Sequence, residues 1–383
     1  MRAQLLTNAC ILVETPDLRI LTDPWFTPGV YEGSWFHSHP VEPFDEPVDA
    51  IWISHLHPDH YDPVFLKQYL ARFPETRLLC AEHDPPYMQK MMARDGFQVE
   101  TFEHLEVGAT RLITRTSRYH AIDNIDSILT VESQGKKLVC WSDTPHDTHL
   151  IEDSRGADIA FLPFTGAGPF PQCYELPTWL MLDAASSKAT QYTKLWEDLL
   201  ENLEPRIAVP FAGEYLLGGF LSPLNHLRGM PDATEMPDAT VLVEGTWIAP
   251  DGPEMQRFSP RRVDERIASL AGHRMDYELE EPPENLRPLL LQAIEQNPIF
   301  IHEPFWLGLH WGDSYTFSLQ DDKPGTGEPR VDITVDPRHL KGILERRWHW
   351  NNAEIGSHLR FEQHPRELGV VPALSTYLSH LHI

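Results

Sequence analysis

Apolar positions in the first 250 residues fall into short runs whose spacing switches between strand-like and helix-like periods. ACILVE (9–14) and LRILTD (18–23) flank Thr15-Pro16-Asp17 and predict a hairpin. DAIWIS (49–54) is a continuous apolar run, as expected of a buried strand. Asp62 then reads as a helix N-cap with Pro63 at the first helical position. Phe65, Leu66, Tyr69, Leu70 and Phe73 follow on one face. TRLLCA is a further strand, and a helix is expected over 87–94. TRLITRT, SILTVES and KLVCWSD are strands, the last two joined at Gln134-Gly135. ADIAFLPF and RIAVPF are buried strands separated by a helix around 192–203. Strands interleaved with helices, some paired by hairpins, predict an α/β fold of mixed sheets covered by helices.

Near Ala249-Pro-Asp-Gly-Pro the pattern changes. The stretch PRVDITVDPRHLKGILERRWHWNNAEIGSHLRF parses as strand, helix, strand, with Trp348 and Trp350 expected in its core. We read 1–250 as the catalytic domain and 251–383 as an appended α+β region expected to cover the active site. No internal repeat or low-complexity tract is present.

Charge narrows the partners. The 383 residues carry 57 acidic against 31 basic side chains, a formal net charge of −26, with no compensating Lys/Arg run. Such a surface repels phosphate backbones, which argues against nucleic acid and anionic membranes and leaves a small-molecule substrate. No run approaches the roughly 20 apolar residues of a membrane span, and the first residues lack a signal peptide's apolar stretch. Cys10, Cys80, Cys140 and Cys173 are far apart, and three sit in strand-like runs. Reduced, packed thiols in a cytoplasmic protein are the expectation.

The chemistry concentrates in Ser54-His-Leu-His-Pro-Asp-His60, between a buried strand and a capped helix. Alternate residues of an extended segment project to one side, so His55 and His57 can clamp one cation, while Asp59 and His60 turn toward a second position. A lone loop histidine is usually solvated, but packing alone does not gather three imidazoles in six residues.

This H-x-H-x-D-H run resembles the signature of the metallo-β-lactamase superfamily. The resemblance covers about residues 5–250 and implies an αββα sandwich. It also implies two divalent ions, with His55, His57 and His120 on the first, Asp59 and His60 on the second, and Asp143 (in CWSDT) bridging. Asp59 and Asp143 would be the catalytic carboxylates, and Asp23 (in LTDPWF) would support the ligands from behind. Within the superfamily the chain looks most like the non-Rieske part of the CMP-N-acetylneuraminate hydroxylase family. DPWF with Trp35 and His39, SHLHPDHYDPVFLKQY, FLPFTGAGPFP and EPRIAVPFAGEY carry that likeness. A Rieske centre needs paired Cys/His motifs; here Cys80-Ala-Glu-His83 has no C-x-H companion.

Zinc hydrolases of this fold place another histidine after a late strand. Here that strand, RIAVPF, runs on into Ala212-Gly213-Glu214, so Glu214 or His226 is the candidate replacement. A carboxylate-rich site with open positions favours iron, with zinc as the alternative. The resulting expectation is an iron-dependent oxygenase drawing electrons from an external donor protein or from its substrate. The alternative is a zinc hydrolase of an ester, lactone, amide or phosphodiester. His39, in WFHSHP, is a candidate substrate contact, and His146 and His149 are weaker metal candidates. His37 shares with His39 what reads as a pocket-lining loop, and His83, His104 and the C-terminal histidines are expected to be packing or surface residues. TGAGPFP lacks a dinucleotide-site context and is read as a turn at the active-site rim.

Overall fold

The turn after Thr15 folds Cys10–Glu14 back on Arg19–Thr22, with Leu12 opposite Leu21. A computed structural model describes residues 1–117, 126–144, 147–255, 262–297, 306–311, 315–318, 329–365 and 378–383. The hairpin lies inside an eight-stranded sheet. In spatial order the strands are Gly252–Pro253, Trp247–Ala249, Arg2–Thr7, Cys10–Glu14, Arg19–Thr22, Ala50–Ile53, Arg77–Ala81 and Glu100–Phe102. Pairing is antiparallel up to Arg19–Thr22 and parallel beyond it. A second sheet orders Ala208–Phe211, Ile159–Pro163, Lys136–Cys140, Ser127–Ser133, Thr110–Thr116 and His104–Val107. Gln134 and Gly135, both at positive φ (54° and 71°), make the tight turn expected between two of its strands.

Period-2 alternation sorts each strand's side chains between two layers. In Ala50–Ile53, Ala50 and Trp52 point to the inter-sheet core, where they meet Leu129, Leu138 and Phe161 of the second sheet. Ile51 and Ile53 point the other way, onto Phe65, Leu66 and Tyr69 of the helix Pro63–Arg72 and Met88 and Met92 of Tyr87–Arg94. On the far side, Leu150, Trp196 and Leu199 of the helices Thr148–Ser154 and Thr178–Leu203 cover Val139, Ala160 and Leu162. The result is helix, sheet, sheet, helix: the αββα sandwich, with an additional C-terminal region. Each large apolar side chain fully buried this way contributes about 1.5–3 kcal/mol.

The tail differs in detail from its strand–helix–strand parse. Two helices, Pro337–Leu344 and Trp350–Ile355, stand between the strands Arg330–Thr334 and Arg360–His364. These strands join Trp306–Trp311 and Tyr315–Ser318 in a separate four-stranded sheet. Trp350 is buried in the cluster beneath it. The amide of Phe361 donates to the Cys173 carbonyl (2.9 Å), stitching this sheet to the N-terminal part. The helix expected around 192–203 begins fourteen residues earlier, at Thr178. The strand Arg2–Thr7 was not anticipated.

Candidate metal centre

The Ala50–Ile53 strand delivers Ser54 and His55 to its C-terminal end, where both are fully buried. Asp23, at a positive φ of 37°, is held there by the hydrogen bond its backbone N–H donates to the Trp52 carbonyl (2.9 Å). Its carboxylate collects the donors around it: Ser54 N and Oγ (2.7 Å each), Ser142 Oγ (3.3 Å) and His60 Nδ1 (2.9 Å). With Nδ1–H donating to Asp23, His60 Nε2 is left as the ring nitrogen that faces outward from that carboxylate. That atom is buried and has no hydrogen-bond partner. It lies 3.5 Å from Asp59 Oδ2 and 3.4 Å from Asp143 Oδ2.

The other two motif histidines converge as well. Ser54 Oγ bonds His55 Nδ1 (2.9 Å), and His55 Nε2 meets His57 Nδ1 at 2.8 Å. Two groups of ligand atoms therefore form among the described residues, His55–His57–Asp143 and Asp59–His60–Asp143, sharing the Asp143 carboxylate. Burial holds the pKa values of His55 and His57 below the usual imidazole range, so both present neutral rings. Burial opposes a charge on His60 too. Asp59, Asp143 and Asp23 nevertheless hold its pKa well up, and His60 in turn holds Asp59 down to about 2 despite burial. Carboxylates that draw a proton onto a buried imidazole would accept a divalent cation in its place. An orphaned, buried Nε2 facing two carboxylates fits a metal ion better than any packing role.

Residues from distant segments fix these groups. Tyr31 donates its hydroxyl to Asp59 Oδ1 (2.7 Å), and Asn8 Nδ2 lies 3.4 Å from Asp59 Oδ2. Asn351, on the tail helix Trp350–Ile355, meets His57 Nε2 at 3.2 Å, so the C-terminal region touches the site directly. Ser54 and Ser142 adjoin the motif residues in sequence and could have been picked out there. Tyr31, Asn8 and Asn351 carry no local signal.

The other singled-out residues lie elsewhere. His120 and His146 fall outside the described residues. Glu214 stays out of both groups, accepting from Ser38 Oγ (3.2 Å), and His226 is exposed on the short helix Gly219–Leu227. His39 is 3.8 Å from Glu244 on the wall of a cavity of about 1040 Å³. No residue of the two metal groups lines that cavity. Asn8 connects the two, since its Oδ1 accepts from Glu214 N (3.3 Å). His37 is buried against Trp25, its pKa pushed down to about 3 by burial, and Thr7 Oγ1 bonds its Nδ1 (2.9 Å). His149 sits in the first turn of its helix. His83 is buried and bonds the Ala81 carbonyl (3.0 Å), and His104 is exposed beside Arg111. In TGAGPFP, a Cβ at Gly166 would collide with the Tyr192 hydroxyl, which explains the glycine there. All four cysteines are free and buried, and no helix of the described residues is long and apolar enough to cross a membrane.

Residues 2–212 match the family model described as "Beta-lactamase superfamily domain". The cytidine monophosphate-N-acetylneuraminic acid hydroxylase of Cricetulus griseus is 26% identical over 229 residues, covering 55% of this chain and 39% of that protein. The chain thus spans about two fifths of that relative's length. Among solved structures, a possible metal-dependent hydrolase from Veillonella parvula is similar at 13% identity and TM-score 0.47, over 65% of this chain and 98% of that one. CmlA, a diiron beta-hydroxylase from Streptomyces venezuelae, is similar at 16% identity and TM-score 0.40, over 62% and 48%.

Proposed function

The chain belongs to the beta-lactamase superfamily, and we propose that it is a metal-dependent oxidoreductase, an oxygenase or hydroxylase acting on a small molecule at a binuclear centre. In this reading His55 and His57, with His120, hold one ion, Asp59 and His60 hold the other, and Asp143 bridges. The observation that carries it is the buried His60 Nε2, without a hydrogen bond and 3.4–3.5 Å from two carboxylates. The second group has one imidazole and two carboxylates, with no histidine at Glu214 to close it. Such a hard, open ligand set favours iron. The hydroxylases that share 26% identity support the same choice.

Bound iron would supply electrons to dioxygen, whereas bound zinc would supply only Lewis acidity and an acidified water. The chain's own residues do the positioning. Asp23 aims His60 Nε2, Tyr31 fixes Asp59, and Ser54 orients His55. Residues 251–383 act as a second domain that closes over the centre through Asn351. Electrons would come from a separate donor protein or from the substrate, and the four free thiols suit a cytoplasmic setting. A zinc hydrolase is the second reading. It is favoured by the one-third exposure of the Asp143 side chain, which gives water a path to the shared carboxylate.

Dioxygen uptake separates the two. The chemically reduced, iron-loaded protein should consume dioxygen with CMP-N-acetylneuraminate present. The zinc form should not, and Asp143→Ala should abolish uptake. Turnover of an ester or lactone by the zinc form without oxygen, with no gain from iron, would establish the hydrolase instead.

A further inference from the structure

Among the described residues, Arg228 is a buried cation without an anion. It is 8% exposed, and its guanidinium bonds two backbone carbonyls, Nη1 to Tyr215 (2.6 Å) and Nε to Asn225 (3.3 Å), and interacts with the Tyr215 side chain. It also lies 4.4 Å from the Tyr215 ring centroid. None of these partners is a carboxylate. Burying a guanidinium this way is costly, and arginine does not escape the cost by losing its proton. The arrangement is nonetheless rigid. Gly229, at φ +67°, packs so close to the Ala185 carbonyl that a Cβ would lie 2.5 Å from it.

The chain does not lack acids to pair with. Arg2, Arg19, Arg77 and Arg115 all hold carboxylates, in a protein with 57 acidic residues. Arg228 instead lines the cavity of about 1040 Å³, a volume at the upper end of the small-molecule range. The half-buried Arg266 shares that wall, and its guanidinium Nε donates to the His37 carbonyl (3.4 Å). The acids around the cavity have other neighbours: Glu265 pairs with Arg262, Asp232 bonds Thr234, Glu214 bonds Ser38, and Glu244 lies 3.8 Å from His39. A further cation with no carboxylate among the described residues, Lys188, lies near Arg228 and bonds the Phe170 carbonyl (2.8 Å). Burial, then the charge of Arg228, pushes its pKa down to about 8.

We propose that this cavity is an oxyanion subsite, in which Arg228, with Arg266, binds a carboxylate or phosphate ester of the small molecule handled at the metal groups. An aromatic stack joins the two places. The Tyr215 and Trp35 rings lie 3.3 Å apart and nearly parallel, and Tyr31 packs 4.5 Å from Trp35 with its hydroxyl on Asp59. Oxyanion binding stands on the Arg228 geometry alone, while its role in substrate binding rests on the metalloenzyme reading above.

The test is calorimetric titration of the full chain with inorganic phosphate and with acetate at constant ionic strength. The two arms distinguish a phosphate-ester ligand from a carboxylate. The parent should saturate with one or both, and Arg228→Met should bind roughly tenfold more weakly or worse, as expected for loss of a charge-assisted fork. His57→Ala should lose metal yet keep its oxyanion affinity, so retained metal in that variant would count against the metal reading and leave the subsite standing. If Arg228→Met does not fold, Arg228→Lys decides, because an ammonium cannot make two parallel bonds and its affinity must fall. No saturable binding of either anion by the parent overturns the proposal. So does undiminished binding by folded Arg228→Met or by Arg228→Lys.

Discussion

Replacing Tyr31 by Phe removes one oxygen and tests how the site is held. Tyr31 is 2% exposed, and its hydroxyl donates to Asp59 Oδ1 at 2.7 Å. Burial and the charge of Asp59 push its pKa well up, so the phenol stays a donor throughout the working pH range. In Tyr31→Phe the ring keeps its packing on Trp35, but Asp59 loses its shortest hydrogen bond. A hydrogen bond to a charged group is worth about 1.5–3 kcal/mol. Expressed as affinity that is roughly 10- to 150-fold, and losing a partner that orients a metal ligand costs about 10- to 100-fold. The two estimates overlap. Tyr31→Phe should therefore fold and bind metal one to two decades more weakly, because the cation must now order a carboxylate that the parent holds in place. Competition against a chromogenic chelator measures this directly. Equal affinity in parent and variant would refute the idea that Tyr31 preorganises Asp59.

Further expectations concern the fold and its surface. Burial holds the Glu32 carboxyl up to about 8, against 4.5 unfolded, although a hydrogen bond from Asn352 pulls it down. The folded state binds this proton more tightly, so the contribution is complete below 4.5 and declines as pH rises to 8, by about 5 kcal/mol in all. The urea stability of the parent minus that of Glu32→Gln should fall across that window, and a flat difference would contradict the assignment. Gly229→Ala should destabilise by about 2–4 kcal/mol, from a left-handed backbone and a Cβ driven onto the Ala185 carbonyl; a loss under about 0.5 kcal/mol would be no more than a surface change. With a net charge of −26, the protein should not bind duplex DNA at physiological salt, and a sub-micromolar complex would contradict this.

What could be read ahead of the structure was what local chemistry determines. Thr15-Pro16-Asp17 announced the hairpin, and Asp62-Pro63 announced the helix that Asp62 caps through Phe65 N. The spacing of His55, His57, Asp59 and His60 announced a convergence that the structure realises within one loop. What escaped depends on partners far along the chain. Arg2–Thr7 is a strand because it pairs with Cys10–Glu14 on one side and Trp247–Ala249 on the other. The long helix starts at Thr178 without a side-chain cap, and Trp179 and Leu182 in its first turns are exposed, which blurs the apolar stripe there. Asn351 reaches His57 across 294 residues, and Tyr31 reaches Asp59 from a left-handed backbone that no pattern predicts. Glu214 stands after a strand, where a substitute ligand is expected, and in the structure its carboxylate accepts from Ser38.

The central claim is that His55, His57, Asp59, His60 and Asp143 form a metal centre. Elemental analysis of protein purified without added metal, set beside His57→Ala and His60→Ala prepared identically, tests it most directly. The account predicts about two equivalents in the parent, mainly iron, and folded variants that each lose most of the ion their residue holds. A folded His60→Ala protein with undiminished metal would contradict it, because His60 Nε2 would then be an orphaned atom with no ion to serve.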